Sequence, residues 1–157
     1  GWPALRWELP KPNGASLRSE DFLNRDLLLI FYLGKGCVHC MEQLNAFAPE
    51  FEAYGKAGIE IVAVSLDSIS GLKATLAAAD TPFPFPLVSD QALDIFRAYD
   101  AYEEFDRGPI HQTVFVSKSG EIQWTDGGHG PFMQAKWLLK ECQRLQTLDT
   151  SLPVLEY

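Results

Sequence analysis

Residues 27–54 read LLLIFYLGKGCVHCMEQLNAFAPEFEAY, and the hydrophobic period changes in the middle of them. Leu27 to Tyr32 are six consecutive apolar residues, a run that suits a strand covered on both faces, as in the interior of a parallel sheet. Gly34 and Gly36 free the backbone for a tight turn. Apolar residues then resume at helical spacing through Met41, Leu44, Phe47, Ala48, Phe51 and Tyr54. The stretch predicts a buried strand, a turn through Cys37-Val38-His39-Cys40, and one continuous helix.

The chemistry sits at that turn. Two cysteines three apart where a helix opens can lie within disulfide reach, with one sulfur near the unpaired amides of the first turn. Those amides favour a thiolate. A free cysteine titrating near ~8.5 is only about 3% ionised at neutral pH, whereas a value near ~6 makes it roughly 90% thiolate. His39, between the two, can donate a hydrogen bond or a positive charge to a sulfur and push the same way. Three plainer readings compete. Half a zinc site would need a second ligand pair, and the chain offers only Cys142 and scattered histidines. A structural disulfide closing two intervening residues constrains an unfolded chain little. A pair of core cysteines sits poorly among glycines, Lys35 and His39. A redox-active dithiol is the leading reading.

The chain of 157 residues fits a single domain, long enough to bury about two thirds of the surface its unfolded form exposes. A hydrophobic fraction of 46%, with ten Phe, five Tyr and four Trp, excludes a disordered chain. The formal charge of −8 comes with dispersed acids and no basic run, which argues against nucleic acid as a partner. No stretch approaches the eighteen or so apolar residues of a membrane span, and the amino end has no signal-peptide pattern. The expectation is a soluble chain whose compartment the residues leave open, a bacterial extracytoplasmic one being a candidate. Gly1 in place of methionine suggests a fragment or a processed chain, so an upstream signal or neighbouring domain could precede it. Three cysteines, an odd count, fit a catalytic pair plus one bystander.

Outward from the central stretch, residues 1–25 read as an extended arm, with Pro3, Pro10, Pro12 and Gly14 around one strand at Ala4 to Leu9 and a short helix from Ser19. Ile59 to Leu66 is a second buried strand rich in branched residues. Ser70 can cap a helix through Ala79. The prolines of Thr81 to Pro86 force an extended segment before a short strand at Leu87 and Val88. Ser89 or Asp90 can cap a helix over Gln91 to Tyr99. Residues 100–112 carry no clear period and read as a loop. Thr113 to Ser117 and Glu121 to Thr125 form a hairpin around Lys118-Ser119-Gly120. Gly127, Gly128 and Gly130 read as a flexible loop, Pro131 as a first helical turn, and Met133 to Leu148 as the last helix. Cys142 shares a helical face with Leu138, Leu139 and Leu145 and reads as core. Trp124 and Trp137 read as core aromatics, and His129 as surface. The fold class that results is an α/β sandwich with a mixed central sheet flanked by helices, in one domain spanning residues 1–157.

Strand, Cys-x-x-Cys, long helix, strand, then hairpin and helix resembles the thioredoxin fold. The closer likeness is to its peroxiredoxin-like branch, the alkyl hydroperoxide reductase and thiol-specific antioxidant family. Phe31-Tyr32, Ala46-Phe47, Val64-Ser65-Leu66-Asp67-Ser68, Phe85 to Asp90 and Val114 to Gly120 resemble its landmarks, covering roughly residues 27–125. In that resemblance Cys40 falls on the peroxide-attacking cysteine, Cys37 replaces a supporting threonine, and Gln43 matches an acidic or amide position. His111 stands where the family uses an arginine that holds the thiolate and polarises the peroxide. An imidazole is no fixed guanidinium fork.

That departure ranks disulfide exchange first. The leading expectation is a thiol-disulfide oxidoreductase in which the Cys37 thiolate attacks a disulfide and Cys40 displaces the product, with His39 assisting. Gly36, Gln43 and His111 are the expected substrate-facing residues. The partner would be a thiol reductant or a disulfide-bearing protein, and no cofactor is implied. The second expectation is a peroxidase in which Cys40 attacks the peroxide and its sulfenic acid condenses with Cys37. The third is binding of a soft metal by Cys37, Cys40 and a histidine such as His111, as in copper-carrying proteins of this fold.

Overall fold

The computed structural model describes residues 2–34 and 36–151, apart from the side chains at 38, 150 and 151. In chain order the elements are β1 (Trp2–Pro3), β2 (Glu8–Pro10), β3 (Ser16–Arg18), a 3-10 turn (Ser19–Phe22), β4 (Asp26–Tyr32), α1 (Val38–Phe47), a second 3-10 turn (Ala48–Glu50) and α2 (Phe51–Lys56). Then follow β5 (Ile59–Ser65), α3 (Ile69–Ala78), β6 (Leu87–Ser89), α4 (Asp94–Ala98), β7 (Tyr102–Glu103), β8 (Gly108–Pro109), β9 (His111–Val116), β10 (Glu121–Gly128) and α5 (Ala135–Ser151).

Six strands form one sheet in the order β1-β10-β9-β4-β5-β6. β4, β5 and β6 run parallel, while β9 lies antiparallel to β4, with β10 and β1 antiparallel beyond it. The mixed α/β sheet expected from the sequence is therefore the observed one.

β4 explains why an unbroken apolar run was needed. Its even residues Leu28, Ile30 and Tyr32 pack with Leu44, Phe47, Tyr54, Leu138 and Cys142 on one face of the sheet. Its odd residues Leu27, Leu29 and Phe31 pack with Trp7, Phe96 and Tyr99 on the other. The strand thus belongs to two cores at once. Asp26 anchors its entrance by accepting hydrogen bonds from the Lys118 N–H at 2.7 Å and the Gln146 Nε2 at 2.6 Å.

Several boundaries differ from the sequence reading, each for a local reason. The central helix is interrupted between α1 and α2, because Pro49 lacks an N–H and its ring opposes the preceding turn. Ser68, rather than Ser70, caps α3, accepting from the Gly71 N–H at 3.1 Å. The helix expected over 91–99 begins only at Asp94, with the Asp90 carboxylate reaching across to the Ile95 and Phe96 N–H groups at 2.9 Å each. The strand expected at 4–9 is shorter and later, pairing as β2 with β3, while Trp2 and Pro3 join the edge of the main sheet.

The loop expected over 100–112 holds the β7–β8 hairpin, and β9 starts at His111. Gly127 and Gly128 are not a loop but the end of β10, opposite Gln112 and His111. A Cβ on Gly127 would overlap the Gln112 carboxamide. α5 starts at Ala135, later than expected. Trp137 is 49% exposed and not core; its ring lies against Trp124 and Phe132, which are half-buried and pack on the core. No helix among the described residues is long and apolar enough to cross a membrane.

Phe31 meets Phe96 edge-on at 5.1 Å and Tyr99 at 5.5 Å between ring centroids. Truncation by Phe31→Ala is expected to cost about 3–5 kcal/mol. Urea denaturation checks this: the midpoint should fall with an unchanged slope.

Candidate active site

β4 delivers the chain to the carboxyl edge of the sheet, where Leu33 and Gly34 turn it toward α1. Gly34 has φ 99°, and a Cβ there would overlap the Asp67 carboxylate just beyond β5. The residue must be glycine on both counts. Gly36, exposed with φ 88°, completes the turn, and Cys37 follows as the residue capping α1 in extended conformation. Cys40 lies in the first helical turn. The two cysteines are joined as a disulfide, with Cα atoms 5.3 Å apart. A dithiol at this place forms a bond within one turn, as the Cys-x-x-Cys spacing implied.

The two sulfurs live in different surroundings. Cys37 is half-buried, whereas Cys40 is fully buried. The Cys40 Sγ accepts the Leu33 N–H at 3.3 Å and lies 3.7 Å from His111 Nε2. His111, 3% exposed, starts β9, and the antiparallel pairing of β9 with β4 puts its imidazole at the end of the sheet where β4 releases the active loop. Its Nδ1 is buried without a partner among the described residues. Burial, reinforced by the nearby His39, lowers the pKa of His111 below the ordinary imidazole value. It therefore stands beside the sulfur as an uncharged imidazole at neutral pH, not as a cation, and its tautomer decides whether Nε2 donates or accepts.

His39 was expected to serve the sulfur. Its ring points to solvent instead, 75% exposed, with Nδ1 3.4 Å from a Glu42 carboxylate oxygen. Gln43 is fully buried, and its amide nitrogen is occupied: Nε2 donates to Thr113 Oγ1 at 3.3 Å and to the Phe132 carbonyl at 3.0 Å, while Oε1 is buried without a partner among the described residues. It ties α1 to β9 and to the segment before α5. The Leu33 N–H and the Thr113 hydroxyl went unnoticed in the sequence. The first is a backbone group without residue identity, and the second hides in an apolar strand pattern.

Cys142, by contrast, is sealed in the core, and burial pushes its thiol up to about 12. It is chemically quiet. His129 is exposed and pairs with Glu103 at 3.2 Å, far from acting on either sulfur by any contact seen here. A cavity of about 390 Å³ opens beside the active loop, lined by Gly36, Met41, Asn45, Thr75, Ala78 and Phe83. A larger one of about 650 Å³ lies under the amino-terminal arm, around Leu5, Trp7 and Tyr99, and touches none of the cysteines. The Cys37 and Cys40 sulfurs and a His111 nitrogen all lie within 4.8 Å of one another, a set that can hold a metal ion when the cysteines are reduced.

A depressed His111 has a stability consequence with a definite sign. The unfolded chain binds its proton at the ordinary imidazole value and the folded chain at a lower pH, so protonation favours unfolding as pH falls between the two. Stability from neutral His111 is complete above the ordinary value and is lost on acidification. Urea midpoints at pH 5 and pH 7.5 should differ more in the wild type than in His111→Gln.

The chain as a whole is similar to known proteins. A model of the AhpC/TSA family matches residues 1–125. Chloroplastic peroxiredoxin Q of Populus jackii is 30% identical over 116 residues, 73% of this chain and 54% of that one. The wheat (Triticum aestivum) peroxiredoxin Q is 28% identical over 117 residues, 74% and 53% of the two chains. The chain thus spans about half the length of these plant relatives, but a putative peroxiredoxin of Mycobacterium tuberculosis, 28% identical over 128 residues, is covered over 80% of its length. Solved structures of Enterococcus faecalis AhpC (TM-score 0.84, 19% identity, 98% of this chain and 96% of that one) and Xanthomonas campestris peroxiredoxin Q (TM-score 0.76, 23% identity, 88% and 90%) share the fold. With the family model covering most of its length, the chain belongs to the AhpC/TSA family and has its thioredoxin-like fold.

Proposed function

We propose that the protein is a thiol-dependent peroxidase in which Cys40 attacks the peroxide and Cys37 resolves the product, reversing the order of the two readings that the sequence suggested. The observation that carries this is the convergence on the Cys40 sulfur of the Leu33 N–H and His111 Nε2, with the Cys37 sulfur already within bonding reach. With its proton on Nε2, His111 joins the Leu33 N–H as a second donor to that sulfur; both favour its thiolate, and the helix amino terminus adds to them. Among the described residues, the Cys37 side chain makes no capping hydrogen bond to α1. The peroxiredoxin names of the relatives support the same reading.

In the first step the Cys40 thiolate attacks one peroxide oxygen, the O–O bond breaks, and the leaving alkoxide or hydroxide takes a proton. Cys40 is left as a sulfenic acid. The Cys37 sulfur then attacks Cys40, hydroxide leaves and is protonated to water, and the disulfide forms. A dithiol reductant returns two electrons by attacking the bridge at Cys37, the more accessible sulfur, with Cys40 departing as the stabilised thiolate. Disulfide exchange at Cys37 therefore becomes the recycling half of the cycle. His111 contributes a hydrogen bond without a fixed charge, so the proposed enzyme activates its thiolate more weakly than an arginine would.

One observation favours the other order: Cys37 is half-buried and Cys40 is not exposed at all, so a bulky disulfide substrate meets Cys37 first. Variants separate the two. Cys40→Ser should lower peroxide consumption by roughly 10³-fold or more, whereas Cys37→Ser should complete a first turnover and leave a sulfenic acid on Cys40, trapped by dimedone and located by mass spectrometry. Peroxide consumption that survives Cys40→Ser and disappears in Cys37→Ser would sink the assignment.

A further inference from the structure

The proposed cycle leaves one feature of the site unused: the three side chains around the bridge form a ligand set. Cys40 Sγ and His111 Nε2 are 3.7 Å apart. This is within reach of a hydrogen bond to sulfur and also matches the separation of two ligands of one ion, since bonds of about 2.3 Å to sulfur and about 2.0–2.1 Å to nitrogen at tetrahedral or trigonal angles put the ligands roughly 3.6–3.8 Å apart. The third ligand atom, the Cys37 sulfur, lies within 4.8 Å of the others. It is now bonded to Cys40, and reduction frees both sulfurs. They would need to part from the ~2.0 Å of a disulfide to about 3.8 Å, a rotation of side chains whose Cα atoms are 5.3 Å apart at the start of one helix.

We infer that the reduced protein binds one thiophilic closed-shell cation, Zn(II) or Cu(I), through the Cys37 and Cys40 sulfurs and His111 Nε2, and that forming the Cys37–Cys40 disulfide expels it. Two adjacent thiolates in a site this closed repel one another, and a cation relieves both the repulsion and the cost of burial. Soft thiolate ligands with one imidazole select these ions over hard ones such as magnesium. The Leu33 N–H, already on the Cys40 sulfur at 3.3 Å, supplies the outer hydrogen bond that orients a metal-bound thiolate. The ligands come from rigid elements, the first turn of α1 and the first residue of β9. In the bound state His111 gives its Nε2 lone pair and keeps its proton on Nδ1. A second cluster, Glu103, Asp106 and His129, is exposed or half-exposed and made of hard and mixed donors with nothing further to mark it.

The release step balances. Two thiolates lose two electrons to the peroxide, whose O–O bond breaks; with two protons it becomes alcohol or water plus water, the sulfurs join, and the ion leaves without changing its charge. The site is thus a switch in which peroxide converts a metal-holding dithiol into a metal-free disulfide.

The test uses the whole chain, fully reduced under anaerobic conditions, titrated with Zn(II) alone and separately with Cu(I) alone against a colorimetric chelator. One equivalent of at least one ion should bind with a dissociation constant below about 1 µM. Oxidation with one equivalent of hydrogen peroxide should release it, and Cys37→Ser and His111→Ala should each weaken binding at least about 10-fold. X-ray absorption on the wild-type complex, which needs no variant to fold, should find two sulfurs and one nitrogen. Failure of both ions to bind, a shell of sulfur without nitrogen, or retention of the ion by the disulfide form would each overturn the inference. Peroxide turnover by the metal-free protein is measured separately, so loss of one reading leaves the other standing.

Discussion

Everything at the site hangs on a strand that is dry on both sides. β4 (Asp26–Tyr32) is fully or nearly fully buried along its length, shared between two cores and hydrogen-bonded to β5 on one edge and β9 on the other. Such a strand cannot shift register, because one step would exchange every side chain between the two faces. Its carboxyl end is therefore a fixed point. The Leu33 N–H that follows it, and the turn that carries Cys37 and Cys40, are held to that point. The β9 pairing brings His111 to the same place from a position 71 residues away in the chain.

The supporting contacts repeat this logic. Gln43 fastens α1 to β9 through Thr113 and to the chain before α5 through the Phe132 carbonyl. Tyr54 donates to the Ala135 carbonyl at 2.7 Å, pinning α2 to the start of α5. The Ser89 hydroxyl donates to the Asp67 carbonyl, holding β6 against the segment on which Gly34 rests. The reactive turn is thus braced from three sides. What the structure leaves adjustable is the bond between the sulfurs themselves, the one thing the proposed chemistry changes.

The identity of residue 111 sets the electrostatic character of the site. An arginine, as the family resemblance implies at this position, would supply a permanent charge and two parallel donors to a thiolate. A buried imidazole supplies one donor, no charge near neutrality, and a lone pair. The first is specialised for holding anions. The second serves equally as a hydrogen-bond donor to a thiolate and as a metal ligand, its tautomer deciding between them. Both proposals made above follow from that single exchange of side chain.

Much of this was legible in the residues. The apolar run of β4, the branched run of β5 and the Cys-x-x-Cys between a strand and a helix specify local structure through short-range periodicity, so the α/β class, the redox pair and the likeness to the peroxiredoxin branch could be read directly. Boundaries failed where a side chain acted across a turn, as Asp90 does on α4, or where a polar residue opened a strand, as His111 opens β9. Trp137 misled because helical spacing says which residues share a face and not whether anything covers it. The sequence by itself determined the elements, the dithiol and its disulfide reach, all set by neighbours within a few residues. Only the tertiary structure decided which sulfur is buried and doubly partnered, and which of two candidate histidines stands beside it. His39, adjacent in sequence, turns to water, while His111 arrives through antiparallel pairing across the sheet. Spacing along a chain carries no record of which side chains the core will exclude from solvent together.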